Sequence, residues 1–391
     1  MKSLPNKNNV DQFIISDSTA PGSGALGIAH VFPKQQGSYN DLQNSMAGLI
    51  NFGAFGIPNA GPNLCGYSPE TADEELCARY FQLAVISPLA ILSNNQPTLD
   101  FQPFNFSQKA RDSIVNSLTQ RLRFMMQMRS ELYRVSVNGG ALISPLFTQH
   151  QYTEWMQPAN DLQSVMFGQS IRADLVFTQG TTQKEIRFQN GTKWLDLNTM
   201  ETLVIPANPE FGIQYKAGIE DSVNLFQAQQ TIVVMQDAKG VMRIEELKDV
   251  PLQLSVALGD ASTATGSLYL EEGAASQFKT MSYLLSATAT TITVLNETSR
   301  ANISSSVSQI ASITVTFLQQ NQFVNASCAI MTDKQVLPLY VSSYNFAQRG
   351  QITITPQYLP DPGQPTFLDL NMLDKVHMGI AAAGNETSLC L

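Results

Sequence analysis

The stretch Asn51–Cys77, NFGAFGIPNAGPNLCGYSPETADEELC, limits the fold more than any other part of the chain. Phe52, Phe55 and Ile57 supply apolar bulk, while Pro58, Gly61, Pro62 and Gly66 keep any regular element short. This reads as the end of a helix, a short buried strand, a Gly/Pro-rich loop and a new helix. Thr71, followed three residues later by Glu74, has the spacing of a capping box, in which hydroxyl and carboxylate satisfy N–H groups of the first turn. Leu76, Tyr80, Leu83 and Ala84 then share one helical face. Strand, loop and helix in this order make a βα unit, and in a (β/α) barrel the loop at the strand's C-terminal end carries the active-site groups.

The flanking chain continues the pattern. Phe13–Ile15 is a short apolar run before a small-residue loop, Ser16–Gly24. Ser38 can cap a helix with Leu42, Met46, Leu49 and Ile50 on one face, ending near Gly53. The pivotal helix is expected to end near Pro88. One long helix opens at Ser107, with Ile114, Leu118, Leu122, Met125, Met126 and Arg129 near one stripe, and stops at Asn138-Gly139-Gly140. A methionine stripe of this kind is core material. Beyond Gly140 the apolar runs become short: Leu175–Phe177, Ile186–Phe188, Leu203–Ile205 and Ile213–Tyr215, then Ile232–Met235, Leu252–Leu258, Phe278–Leu285, Thr290–Leu295, Ile310–Phe317 and Gln351–Thr355. The pattern is therefore α/β plus all-β: βα units over residues 1–140, then two antiparallel β-sandwich domains over 141–225 and 226–391.

Composition narrows the function classes. The 391 residues are 43% apolar and 14% charged, which is globular, and a net charge of −9 disfavours a nucleic-acid partner. No 18-residue apolar run offers a membrane span. The four cysteines form no CxxC pair and three histidines accompany them, so neither a zinc site nor any other metal or cofactor is expected. Six N-x-S/T sequons, at Asn105, Asn190, Asn296, Asn302, Asn325 and Asn385, point to a secretory, lysosomal/vacuolar or extracellular setting. The opening MKSLPNKNNVDQF lacks an apolar h-region and does not read as a signal peptide.

FGIPNAGPNLCGY with EELCARYFQL resembles the late-barrel segment of glycoside hydrolase family 31, the α-glucosidase family. FIISDSTAPGSG resembles the strand and loop before that family's acid/base residue, and AHVFPKQQGSYNDL its acid/base loop. The helix ending RLRFMMQMRSELY with GGALISPLF, then FGQSIRADLVF with TKWLDL, and finally GSLYLEEG, resemble the family's segments C-terminal to the barrel. The resemblance implies that residues 1–140 are a partial (β/α)8 barrel, its last three or four units, with an open strand edge and an uncovered interior against which something must pack. The family carries a disulfide at the spacing of Cys65 and Cys77; Cys328 and Cys390 are the candidates for a second bridge.

Retaining glycosidases need two carboxyl groups about 5 Å apart. The family's nucleophile motif is absent here, and its acid/base position falls on Lys34, which cannot donate a proton as a carboxylic acid does. Its sugar-contacting positions fall on Asp17, Val31, Asn63, Tyr67 and Ser93, where the polar grips are lost or exchanged. Asp17 and Asp41 are candidates for a displaced carboxylate, with Asp41 expected to face solvent from within a helix. His30 reads better as a packed histidine than as a catalyst, Trp194 as core, and Glu271-Glu272 as a surface turn. The resemblance thus implies a glycoside hydrolase family 31-like protein without catalysis of its own. It would be a structural or carbohydrate-binding subunit, with an α-glucan or other glycan as ligand and a protein partner completing the barrel. The alternative is the C-terminal half of an active α-glucosidase whose nucleophile lies on another polypeptide.

Overall fold

A computed structural model describes residues 13–32, 36–67, 73–93, 95, 103–150, 162–206, 211–272, 279–288, 291–296, 309–317, 326–331, 336–345, 351–356, 367–369 and 373–379. The chain divides into two compact units. The first is Met1–Arg121 with Glu131–Thr192 and Ile205–Phe226; the second is Leu122–Ser130 with Lys193–Val204 and Gln227–Leu391.

In the first unit, strands β1 (Ile14–Ser16), β2 (Ile28–Val31) and β3 (Ala60–Gly61) run parallel in that order. A parallel bridge between Asn63 and Ile91 marks a fourth strand position. Gly61 makes that neighbour possible, since a Cβ there would lie 1.6 Å from the Leu89 carbonyl oxygen. Helix α1 (Tyr39–Ala54) connects β2 to β3, and it starts where it does because of a full capping box: Ser38 accepts from Asp41 N–H, and the Asp41 carboxylate accepts from Ser38 N–H. Leu42, Met46 and Leu49 are buried, as their spacing requires. Helix α2 (Glu74–Ala84) is buried along nearly its whole length. Its C-terminal turn is held by Arg121, which donates to the Ala84, Ser87 and Pro88 carbonyls. That is a cation at the negative end of a helix, and burial pulls its guanidinium pKa down to about 10.

Two helices of the barrel segment also grip residues 217–223. Arg79 of α2 donates to the Ala217 carbonyl at 2.8 Å and to the Thr181 carbonyl at 2.7 Å. In α3 (Gln108–Arg123), Gln120 exchanges hydrogen bonds with Val223 at 2.8 and 3.1 Å. These buried side-chain amides and guanidinium satisfy a loop backbone that would otherwise lose its water partners. After helix α4 (Met125–Asn138), strands β4 (Ile143–Pro145), β5 (Ser164–Phe167) and β6 (Ile171–Asp174) form an antiparallel run, and Gln183–Phe188 pairs antiparallel with Phe211–Lys216.

The second unit is a β-sandwich whose ladder closes on itself. From Leu252–Ala257 it passes through Thr231–Gln236, Thr263–Glu272, Lys279–Thr288, Thr291–Asn296, Leu373–Gly379, Ala326–Met331, Val336–Asn345 and Gln351–Pro356 to Gln309–Thr316, which pairs back with Leu252–Ala257. Closure removes free edges. Alternation sets the inside: Met281, Tyr283, Leu285 and Ala287 face a core with Ile232, Val234, Leu254 and Val315, each large side chain contributing about 1.5–3 kcal/mol. Thr231–Gln236 and Thr263–Glu272 share a single register pair, Thr231 with Thr265. Where they part, side chains of α4 substitute for the missing rungs: Gln127 Oε1 accepts from Val234 N–H and Ser130 Oγ from Tyr269 N–H, both at 3.0 Å. Gln127→Leu keeps the volume but orphans a buried N–H, and is expected to cost about 1–3 kcal/mol, read as a lowered urea midpoint. An unchanged midpoint would show that the rung is not needed.

Several expectations are corrected. Helix α2 is capped by Asp73, which accepts from Leu76 N–H at 2.9 Å. Thr71 lies outside the described residues, and the Glu74 carboxylate instead accepts from Ser107 N–H. The same helix stops at Ala84 rather than near Pro88. The expected single long helix breaks at Phe124, a fully buried residue, into α3 and α4. Leu118, placed on the apolar stripe, is 40% exposed. The strand expected at Leu175–Phe177 ends at Asp174, and those three residues are buried outside any strand. The sandwich is not wholly antiparallel, since two of its pairings run parallel. No helix among the described residues is long and apolar enough to cross a membrane.

Candidate functional site at the mouth of the partial barrel

Past the C-terminal ends of the parallel strands, Asp17 and Thr19 follow β1, Val31 ends β2, Asn63 and Tyr67 follow β3, and Ser93 follows the fourth strand position. Asp17 follows β1 on an exposed turn in which Ser18 N–H donates to Ser16 Oγ at 3.0 Å. His30, on β2, is buried; its ring stacks on Phe52 of α1 at 3.9 Å, and Nδ1 is 2.9 Å from Thr19 Oγ1. Burial lowers its pKa, with Asp17 pulling weakly the other way. His30 therefore ties the β1 loop to α1 as a neutral, packed ring. Val31 is half-buried. Lys34 lies outside the described residues.

Past β3, Asn63 is 4% exposed and its carboxamide is committed to Ser93: Nδ2 donates to Ser93 Oγ and Oδ1 accepts from Ser93 N–H, each at 3.0 Å. The side chain acts as one more rung beyond the Asn63–Ile91 bridge. Cys65 adopts φ 64° and Gly66 φ 88°, so the loop turns sharply there. A Cβ on Gly66 would stand 2.3 Å from Gly37 Cα. The sulfurs of Cys65 and Cys77 are bonded, joining the loop to α2. Tyr67 is half-buried and its carbonyl accepts from Asn95 N–H at 2.9 Å.

Among the described residues of these loops and of the first helical turns after them, the carboxylates are Asp17, Asp41, Asp73, Glu74 and Glu75, of which Glu75 pairs with Arg79 at 3.4 Å. Asp41 does not simply face solvent: its Oδ2 accepts from Gly37 N–H, Ser38 N–H and Ser38 Oγ at 2.9–3.3 Å. Asp73 caps α2. The described groups nearest the strand ends are thus one exposed carboxylate, one amide bonded to a serine and a packed imidazole, whereas a two-carboxyl displacement needs a pair of carboxyl groups about 5 Å apart. No group of three His, Cys, Asp or Glu suited to a metal occurs among the described residues. Elsewhere, Trp194 is buried in the core and Glu271 pairs with Arg129 at 3.4 Å. Cys328 is described only in its backbone, and Cys390 not at all. Of the sequons, Asn302, Asn325 and Asn385 lie outside the described residues. Thr19 and Phe52, which hold His30, have no signal in the sequence beyond their proximity in the fold.

Comparison with known proteins gives a consistent picture. Residues 1–130 match the glycosyl hydrolases family 31 TIM-barrel domain. The chain is 28% identical to alpha-xylosidase 1 of Arabidopsis thaliana over 274 residues, 69% of this chain and 29% of that one. It is 25% identical to an alpha-glucosidase of Mucor javanicus over 71% of this chain and 32% of that one. It therefore spans about three-tenths of the length of these relatives. The fold is similar to the glucosidase II alpha subunit, with a TM-score of 0.73 at 18% identity, covering 92% of this chain and 38% of that one. It is also similar to a heterodimeric complex of the ER glucosidase II catalytic subunit with the binding domain of its regulatory subunit, with a TM-score of 0.72 at 17% identity over 92% and 38%.

Proposed function

We propose that the chain, whose residues 1–130 match the glycosyl hydrolases family 31 TIM-barrel domain, is a family 31 protein that works without glycosidase activity of its own, as a structural or carbohydrate-binding subunit whose barrel is completed by a partner. The observation that carries this reading is the Asn63–Ser93 pair: groups at the strand ends are satisfied by each other, leaving Asp17 as the one carboxylate of the described loops not engaged in a helix cap. Lys34 at the position resembling the acid/base residue supports it, because a cation beside an oxocarbenium-like transition state raises its energy. The need for a partner rests on the edge. Among the described residues β1 pairs with β2 alone, and Phe13 and Ile15 are 62% and 41% exposed beside it. An unpaired, apolar parallel edge is unfavourable in water and is a docking template. The disulfide and sequons support a secretory, lysosomal/vacuolar or extracellular setting.

The length relation to the relatives favours a second reading. Here the chain is the back half of an α-glucosidase, and the nucleophile comes from the part it does not span. Purified chain incubated with 4-nitrophenyl α-glucoside separates the two. We expect no nitrophenol above the buffer blank. Turnover that persists in Lys34→Ala would overturn the assignment of the acid loop and the inactive reading with it. Glycan-array binding then distinguishes a carbohydrate-binding role from a purely structural one.

A further inference from the structure

We propose that Asn105 carries an N-linked glycan and that Asn190, an equally good match to the acceptor pattern, does not. The inference rests on the secretory reading above. In the transfer the Asn105 Nδ2 displaces the pyrophosphate of a lipid-linked oligosaccharide, forming one C–N bond and giving up one proton. The enzyme meets an extended chain, so the pattern alone cannot choose among sites; the fold chooses, because a modified asparagine must still reach solvent once its neighbours pack.

At Asn105 it does. The residue closes the 3-10 turn Pro103–Asn105 and is exposed. The rest of its sequon is fixed from the other side. Phe106 is 4% exposed, Ser107 N–H donates to Glu74 Oε1 at 2.9 Å, and Ser107 Oγ accepts from Ala110 N–H at the start of α3. Asn105 stands three residues before α3 begins at Gln108. Asn190 has the opposite surroundings. It is half-buried with its Oδ1 out of contact with solvent, inside a turn closed by Gly191 N–H to Pro206, Thr192 Oγ1 to Gln189 and Ile205 N–H to Thr192. A sugar there would have to open that turn. Asn296 sits within a strand, in register with Tyr283.

The test is the full chain produced behind a secretory leader in insect cells, released with peptide-N-glycosidase in heavy-oxygen water and mapped by tryptic mass spectrometry. Labelled aspartate is expected at 105 and not at 190. Asn105→Gln should remove one glycosidase-sensitive step in gel mobility, and Asn190→Gln none. An unlabelled Asn105 peptide in a chain glycosylated elsewhere, or Asn190 occupied as fully as Asn105, overturns the proposal. The secretory reading is judged separately, by fractionating source cells. Chain found only in the cytosol refutes that reading whatever the mapping returns.

Discussion

Replacing Asp174 by Ala is expected to destabilise the first unit by about 3–5 kcal/mol, the cost of leaving a buried charge without its counterion. The carboxylate is fully buried at the end of β6. It accepts from Arg172 Nε at 2.7 Å and Nη2 at 2.9 Å and from Ser164 Oγ at 2.6 Å, with Lys184 Nζ at 3.6 Å. Arg172 is fixed in turn by the Arg187 carbonyl at 2.6 Å and lies over the Phe188 ring at 4.7 Å. With Asp174 gone, the guanidinium cannot leave for water. Burial alone would raise the Asp174 pKa, but Arg172 and Lys184 outweigh it and hold the carboxyl below its ordinary value. A depressed carboxyl contributes stability above the unfolded-state pKa, and that contribution is lost as pH falls through the folded one. His150 works in the same direction: burial, then Arg172, push it down to about 4, so unfolding takes up a proton between its usual 6.5 and that value. The parent chain should therefore lose stability on acidification, and Asp174→Ala should lose less, having no carboxyl there to protonate. Urea midpoints at pH 7, pH 4 and about pH 2.5 measure both, the His150 loss lying between the first two and the Asp174 difference below pH 4, since the folded carboxyl titrates under its ordinary value. A stability at pH 7 within about 1 kcal/mol of the parent would mean that the network barely offsets its own desolvation. Arg172→Met with Asp174→Leu is the control, since removing both charges should recover much of the loss.

That network shows where sequence reading stops. Helix and strand identity is legible because it follows from spacing: Leu42, Met46 and Leu49 on α1, the Ser38 cap, and the glycine after Asn138, where Gly139 takes φ 77°. The loop of Pro62 and Gly66 makes one βα unit legible, and the partial barrel is legible only through the resemblance of that loop and its neighbours to a known family. The α2 cap is not, because Thr71 and Asp73 are both good caps two residues apart, and the choice falls to Glu74, which is committed to Ser107 across 33 residues. The break at Phe124 has no local signal: no Gly or Pro stands there, and the residue is instead taken into a core. At the mouth, the residue types at 63 and 93 can be read, but their mutual hydrogen bonds depend on the parallel register of Asn63 with Ile91, which no pattern of apolar residues encodes. Ladder closure in the second unit is equally non-local, since it pairs residue 252 with residue 310.

The second large effect is expected at the disulfide. Cys65→Ala with Cys77→Ala should lower stability by about 2–3 kcal/mol, since the bond closes a loop across a sequence separation of 12 and chain entropy assigns about 3 kcal/mol to a loop of that size. Part of that is returned. Cys65 is held at φ 64°, a left-handed conformation that costs a non-glycine residue about 1–2 kcal/mol, and an uncrosslinked loop can relax it. Relaxation has a place to go. Leu64 N–H donates to the Ile91 carbonyl at 2.6 Å and Ile91 N–H to Pro62 at 3.3 Å, two bonds that tie the third strand position to the fourth directly beside the crosslink. Hydrogen exchange at Leu64 and Ile91 should therefore accelerate more than at Leu42 or Met46, which are buried on α1, while Ile232 and Val234 in the other unit keep their protection. This local pattern separates loss of a crosslink from general destabilisation, which would raise exchange throughout the first unit by one factor. Equal acceleration at α1 and the mouth would count against a loop held mainly by its disulfide. Two thiols reacting rapidly in the native, unreduced chain at Cys65 and Cys77 would remove the premise altogether.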